Sequence, residues 1–515
     1  MEQDLGQSII YSPYFDRKHF QKQLDIIKKA SEEAQRKIDY ASAHDEDIIR
    51  AIDVVEDFLR KKHRLCYGGQ AINAHLPSKY KFYDPEFSVP DYDFFSPDQA
   101  NDIKVLVRDL KSAGFTEISA REGMHEGTIK IYVDFTPVAD ITQIDAKLYR
   151  ILSKREYKYE GISYLDASTL RMLMYLELSR PRGEVDRWVK VYERLALFNE
   201  FVSFKRCNKG DTFVGPVLHS NEVEGIMNFI IDEKRIFAGA DVVNFYKHSG
   251  KHIGKEAYYK GKKSKGVNWL VNSKKPIIFL SPDAAGDAKQ IKATLESLSA
   301  DNSDIQVKSM ESKGVDLIPS LKIIKKGSKA LVYIIQQVAC HSYYNLPLTD
   351  ITHKDRLLRI ASMDTMITLY FSLGLVDHRY FDIGSIECLA NEMVEISIKA
   401  RRNPDKFPFP FISLKCAGHQ TSLSSLIRAK VHRITQRKQN AKQKEAAVNI
   451  MPNNQQTNIH RVVKSIKNTA RKNKSKNSKT RKQDAFINNV ENIERRLKKA
   501  IAIKNSGDDE VLLIG

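Results

Sequence analysis

Residues 89–100 read VPDYDFFSPDQA, and residues 276–287 read PIIFLSPDAAGD. Both run from an apolar, strand-like segment through Ser-Pro-Asp into a helix-forming stretch. The first carries Asp91 and Asp93 where the second has Pro276 and Ile278. In a strand, residues i and i+2 share a face, so the two carboxylates point one way while Tyr92 and Phe94 point the other. Ser96 reads as a helix N-cap with Pro97 in the first helical position. The helix beyond it places Ile103, Leu106, Val107 and Leu110 on one apolar stripe and ends at Gly114.

The likeness extends on both sides of this phrase. FAGADVVNF (237–245) aligns under YGGQAINAH (67–75) at an offset of 170, FLSPDAAGDAK (279–289) under FFSPDQANDIK (94–104) at 185, and ASMDTMITLYFSL (361–373) under ASTLRMLMYLELS (167–179) at 194. Three matches in one order, with growing offsets, describe a duplicated domain that has taken up small insertions. In this alignment Gly68 falls on Ala238, and Gly69 is kept as Gly239. The second copy retains the scaffold phrase and has lost its acidic pair.

Upstream, Ile48, Ile52, Val55 and Leu59 form one helical stripe, and DRKHFQKQLDIIKKASEEAQRKIDY is a charge-laced amphipathic helix. LCYGGQAINAHL reads as a strand end, a Gly68–Gly69 turn and a helix; 128–144 reads as a strand pair or a strand broken at Pro137. The chain of 515 residues has a net charge of +19, and the charge is uneven. Between Arg428 and Lys499 there are 21 Lys/Arg against 4 Asp/Glu, a surplus of 17. That stretch is too polar to build a core and suits a polyanion, whose counterions it would release. The five cysteines are scattered and lack a C-x-x-C pair, which predicts reduced, buried thiols and no zinc site. No apolar run approaches the ~20 residues of a membrane span, and the first residues lack a signal-peptide layout. No P-loop and no nucleophile elbow is present.

A glycine turn feeding a helix exposes N–H groups that suit phosphate. Two carboxylates on a nearby strand are hard ligands for Mg²⁺, and a third on the next strand completes a two-metal layout. Asp134 and Asp140 both lie on the 128–144 segment, and periodicity alone does not choose between them. Arg187, Lys190 and Arg194 fall at i, i+3 and i+7, where they can share a face and meet phosphates, or form a solvated edge beside Trp188. Lys260–Lys265 (KGKKSK) is a further basic cluster.

Together YGGQAINAHL, VPDYDFFSPD, YVDFTPVADIT, LELSRPRGEVDRWVKVYERL and RIASMDTMITLYFSLG resemble the catalytic subunit of poxvirus and giant-virus poly(A) polymerases, from about residue 60 to about 400. The resemblance implies template-independent addition of adenylates to an RNA 3′ end, from ATP, with Mg²⁺ or Mn²⁺. It implies an α+β fold: a nucleotidyltransferase (DNA polymerase β-like) catalytic domain, then a degenerate nucleotidyltransferase-like domain. The expected layout is an N-terminal helical region (1–60), the catalytic domain (61–230), the degenerate domain (231–420) and a basic tail (421–515). Carried over by residue, Gly68 and Gly69 border the triphosphate and Asp91 and Asp93 bind metal. Asp140 is the preferred third carboxylate, with Asp134 the alternative. Arg187 and Lys190 are candidates for nucleotide contact. Partners are expected to be an RNA 3′ end and ATP, with a homodimer or a processivity subunit, and no membrane. The expected location is a viral factory in the host cytoplasm or the virion. A CCA- or uridylyl-adding transferase and a non-catalytic RNA-binding scaffold are the alternatives.

Overall fold

The structure, a computed structural model, describes residues 17–204, 218–249, 275–298, 304–311, 319–349, 355–375, 383–404, 407, 409–410 and 412–449. The KGKKSK cluster and the tail past 449 lie outside the described residues. Strands β1 (Leu65–Tyr67), β2 (Tyr92–Ser96), β3 (Ile118–Glu122), β4 (Thr128–Val133), β5 (Thr136–Gln143), β6 (Tyr157–Tyr159) and β7 (Ile162–Tyr164) belong to the first half. Strands β8 (Ile236–Phe237), β9 (Ile277–Ser281), β10 (Ile305–Met310), β11 (Leu321–Lys326), β12 (Lys329–Gln336), β13 (His341–Thr349), β14 (Asp355–Ala361) and β15 (Cys416–Ala417) belong to the second. Among the described residues, no helix is long and apolar enough to cross a membrane.

Within the unit formed by 1–118 and 127–425, one sheet runs β4-β5-β2-β1-β7-β6 and the other β11-β12-β9-β8-β14-β13, with β10 beside β11 and β15 beside β13. The two orders are the same, and so are the directions. Pairs β1–β2, β4–β5 and β6–β7 are antiparallel, while β2–β5 and β1–β7 are parallel. Their counterparts β8–β9, β11–β12 and β13–β14 are antiparallel, while β9–β12 and β8–β14 are parallel.

The duplication reaches single hydrogen bonds. His63 and Lys234 both take positive φ, at 50° and 53°, just before an arginine. Arg64 forks onto buried Asp102 at 2.6 and 3.0 Å, and Arg235 onto buried Asp287 at 2.7 and 2.9 Å. Such bidentate, charge-assisted bonds satisfy a carboxylate that burial would otherwise penalise. Gln143 Oε1 accepts from the Gln99 N–H at 2.9 Å and its amide donates to the Pro97 carbonyl at 3.0 Å. Gln336 does the same with Ala284 and Pro282, at 3.1 and 2.7 Å.

Strand register corrects the sequence alignment. Cys66 pairs with Phe94 and Phe237 with Phe279, so Gly68 corresponds to Gly239, one residue from the assignment by identity. Tyr164 and Ile360 occupy equivalent positions, so the N-caps Asp166 and Ser362 correspond and the third match shifts by two. Ser96 is the last residue of β2 instead of an N-cap; its Oγ accepts from the Asp98 N–H, and the helix begins at Gln99. The 128–144 segment is a hairpin that turns at Asp134 and Phe135, both with positive φ (47° and 65°), the two-residue geometry whose twist matches its strands. Pro137 sits inside β5, where the register shifts. The thiol expectation fails at Cys340 and Cys416, which form a disulfide with Cα atoms 5.5 Å apart because β13 and β15 pair. Cys388 is also disulfide-bonded, and Cys66 is free and buried.

The second unit joins 119–126 to the chain from 426. Here the basic helix Leu423–Asn449 is tied down by Arg433, which donates to Glu122 at 3.0 Å and to the Met124 carbonyl at 3.2 Å, and by Arg437, 2.6 Å from Glu122.

Candidate active site

The acidic residues meet in one row across four strands. Tyr67 on β1 pairs with Asp93 on β2, Asp93 with Asp140 on β5, and Asp140 with Lys130 on β4. Residues in one cross-strand row share a face, so two carboxylates and an ammonium are neighbours although 47 residues separate the aspartates in sequence. Asp91, just before β2, is exposed and adds a third carboxylate that acts electrostatically on Asp93. Asp134 stands at the hairpin tip, exposed and outside this row.

The row is charged and half-enclosed. Asp140 is 7 % exposed; its Oδ2 is paired with Lys130 Nζ, and its Oδ1 is buried without a hydrogen-bond partner. Burial, then Asp91 and Asp140, push the Asp93 carboxyl up to about 7 against the opposing pull of Lys130 and Arg187. Although its side chain reaches solvent, partial desolvation by the surrounding chain and then the Asp140 charge raise Asp91 as well, against Lys130. Burial works against the Lys130 charge, but the Asp140 bond and the carboxylate field outweigh it and raise its pKa. At the β1 end of the row Tyr67 stacks on Phe95 with ring centroids 4.2 Å apart, and its hydroxyl shares a 2.9 Å hydrogen bond with Thr142. Burial, followed by Asp93, raises the Tyr67 phenol.

Both glycines are held to their size. Gly68 opens the helix Gly68–His75 with φ +73°, and a Cβ there would lie 2.2 Å from Asp93 Oδ2. A Cβ on Gly69 would lie 2.2 Å from the Tyr83 hydroxyl and 3.1 Å from Arg194 Nη1. Tyr83 is placed by Asn73, whose Oδ1 accepts from the Phe82 and Tyr83 N–H groups at 2.9 and 3.3 Å. Arg194 donates to the Tyr83 hydroxyl at 3.0 Å and lies over the Phe82 ring at 4.7 Å.

The basic edge is less uniform than its spacing implies. Arg187 is exposed and ion-paired with Glu184 at 3.1 Å and Glu177 at 3.4 Å, yet close enough to act on Asp93. Lys190 is exposed, and Arg194, then burial and Arg187, lower its pKa. Trp188 is half-buried, donating to the Glu177 carbonyl at 3.0 Å. Sequence reasoning passed over Lys130 and Tyr83. The signal for Lys130 was its place on a strand paired to the second acidic strand, visible only once the hairpin is drawn.

Among the described residues, no set of three His, Cys, Asp or Glu side chains is already gathered as a metal centre. The donors nevertheless fit a hard cation. Asp140 Oδ1 is orphaned in a buried setting, and Asp91, Asp93 and Asp140 crowd one another electrostatically.

Residues 53–184 match the family model of the poly(A) polymerase catalytic subunit. A protein of Acanthamoeba polyphaga mimivirus named as a poly(A) polymerase catalytic subunit is 28% identical over 194 residues, 36% of this chain and 32% of its own length. A protein of the same designation from African swine fever virus (isolate Tick/Malawi/Lil 20-1/1983) is 32% identical over 203 residues, 37% of this chain and 43% of its own. The chain thus spans about a third to two-fifths of these curated relatives. The crystal structure of the Megavirus polyadenylate synthase aligns with a TM-score of 0.62 at 16% identity, covering 88% of this chain and 90% of that one. Residues 53–184, which contain the whole acidic row, are those in which the chain matches the poly(A) polymerase catalytic subunit family, on a nucleotidyltransferase fold shared with the Megavirus structure.

Proposed function

We propose that the protein is a template-independent polynucleotide adenylyltransferase that extends RNA 3′ ends from ATP and releases pyrophosphate. The observation that carries this reading is the Tyr67–Asp93–Asp140–Lys130 row, beside a glycine whose missing Cβ leaves room for the Asp93 carboxylate, inside the segment that matches the family. Asp91, Asp93 and Asp140 would hold the divalent cations. When bound, these would supply Lewis-acid stabilisation of the phosphates and lower the pKa of the attacking hydroxyl. The N–H groups of the Gly68–Gly69 turn face the triphosphate at the positive end of the helix. Arg187 and Lys190 neutralise phosphate charge, and Arg194 holds Tyr83 against the glycine turn. The 3′-hydroxyl attacks the α-phosphate in line; the chain contributes position and charge and no covalent intermediate. A second copy of the chain, or a separate processivity subunit, would help to retain the RNA between additions.

The test is extension of a labelled RNA oligonucleotide with each NTP separately, with Mg²⁺ or Mn²⁺, beside Asp91→Asn/Asp93→Asn. Long ladders with ATP alone, absent in the variant, support the reading. Short products or a preference for CTP or UTP would identify a different terminal transferase. RNA binding without extension would leave a scaffold.

A further inference from the structure

The acidic row ends on a residue that none of these roles employs. Lys130 Nζ is bonded to Asp140 Oδ2, and the lysine side chain is 33% exposed where that of Asp140 is 10% exposed. The ammonium therefore sits at the rim of the site on a flexible four-carbon stem, with water within reach. Asp140 depends on it, because the other carboxylate oxygen has no partner and a buried, unpaired carboxylate is strongly disfavoured.

The second sheet supplies an internal control. Its row at the same register is Ile278, Tyr333 and Ile323, each no more than 1% exposed. Ile278 stands where Asp93 stands, Tyr333 where Asp140 stands, and Ile323 where Lys130 stands. A lysine that merely wets an outer strand face would have no reason to be absent where the acids are absent. A lysine whose charge answers theirs would.

We propose that Lys130 is a charge-compensating positioning residue, which keeps the Asp91–Asp93–Asp140 cluster assembled in the metal-free protein and yields Asp140 to an incoming divalent cation. The proposal rests on the metal-site reading above. It makes the lysine a competitor of the cation and a support of the fold at once, two effects of opposite sign that a purely structural lysine would not combine.

The experiment measures Mn²⁺ binding to the full chain by loss of the free-ion EPR signal, and thermal unfolding with and without Mn²⁺. Lys130→Met is expected to melt lower than the wild type in chelator, to bind Mn²⁺ at least tenfold more tightly, and to regain its lost melting temperature when Mn²⁺ is added. Lys130→Arg keeps the charge and is expected to stay within twofold of wild-type affinity. In an Asp140→Asn background the Met substitution should no longer lower the metal-free melting temperature. If Lys130→Met does not fold alone, recovery in that background supports the proposal and failure to recover overturns it. A Met variant that loses Mn²⁺ affinity along with stability, or changes in neither, also overturns it. Absence of Mn²⁺ binding in the wild type removes the metal-site reading and this proposal with it. Wild-type binding that is lost in Asp91→Asn/Asp93→Asn but indifferent to Lys130 removes this proposal alone.

Discussion

The two sheets share strand order, strand direction and several of the hydrogen bonds that hold them, and their chemistry parts along one row. Arg64–Asp102 and Arg235–Asp287 are the same buried fork, and Gln143 and Gln336 close the same loop. Where the first sheet has Asp93, Asp140 and Lys130, the second has Ile278, Tyr333 and Ile323, all sealed from solvent. The scaffold and the chemistry are thus separable in this fold. A charged row leaves a sheet face that must be compensated, whereas an apolar row turns the same face into core worth roughly 1.5–3 kcal/mol per fully buried side chain.

The comparison is broken most directly by exchanging charge for amide on one side and core for amide on the other. Asp91→Asn/Asp93→Asn should lower RNA extension by about a thousandfold or more, given the several kcal/mol that metal-held phosphate stabilisation supplies, while leaving the melting temperature equal or higher. Full-length products from that variant would show that the row is not where the chemistry occurs.

Next in size are the shared forks. Arg64→Leu and Arg235→Leu should each cost about 3–5 kcal/mol in denaturant unfolding, because each strands a buried carboxylate. Unequal costs would mean that the two sheets do not use the pair alike.

Ile278→Asn should cost about 2–4 kcal/mol, since it removes an apolar side chain and buries an amide without partners, with little change in the rate of extension per folded molecule. A large fall in that rate would show the apolar row contributing to the reaction.

The most gradual effect, spread over several pH units, concerns His341 at the start of β13, which burial first, then Arg180, hold down to about 3. The unfolded chain takes up its proton near pH 6.5, so the stability conferred by the neutral ring is present above that pH and is lost as pH falls from about 6.5 towards 3. The slope is at most one proton, about 1.4 kcal/mol per pH unit. His341→Gln should flatten it in acid titrations followed by near-UV circular dichroism; an unchanged slope would place the proton uptake elsewhere.

Much of this was legible beforehand for a physical reason. Glycine at φ +73° and paired aspartates on a strand are local demands, written in adjacent letters. Register is not local. β8 has two residues, too few for identity to anchor an alignment, and the glycine match slipped by one. Asp134 and Asp140 looked equivalent until the hairpin turn carried the first to the tip. Lys130 sits in an alternating strand, TIKIYV, where a lysine reads as solvent-facing, and only pairing with β5 sets it on an acid. Ser-Pro-Asp looked like a cap because sequence does not mark the last residue of a strand. Cys340 and Cys416, 76 residues apart, meet through a two-residue strand that no periodicity announces.

The parallel pairing of β2 with β5 has a consequence for folding fidelity. Side chains alternate faces, so sliding β5 by one residue would seat Ile141 beside Asp93 and turn Asp140 into the hydrophobic layer occupied by Phe94 and Ile129. A carboxylate there has no counter-ion, and the slipped sheet is penalised by several kcal/mol, on the order of a buried unpaired charge. The acidic row therefore proofreads the strand alignment that creates it. The second sheet, with isoleucine and tyrosine in those places, has given up that check and is left with the fork from the entry of β8 to the helix after β9 and its glutamine loop.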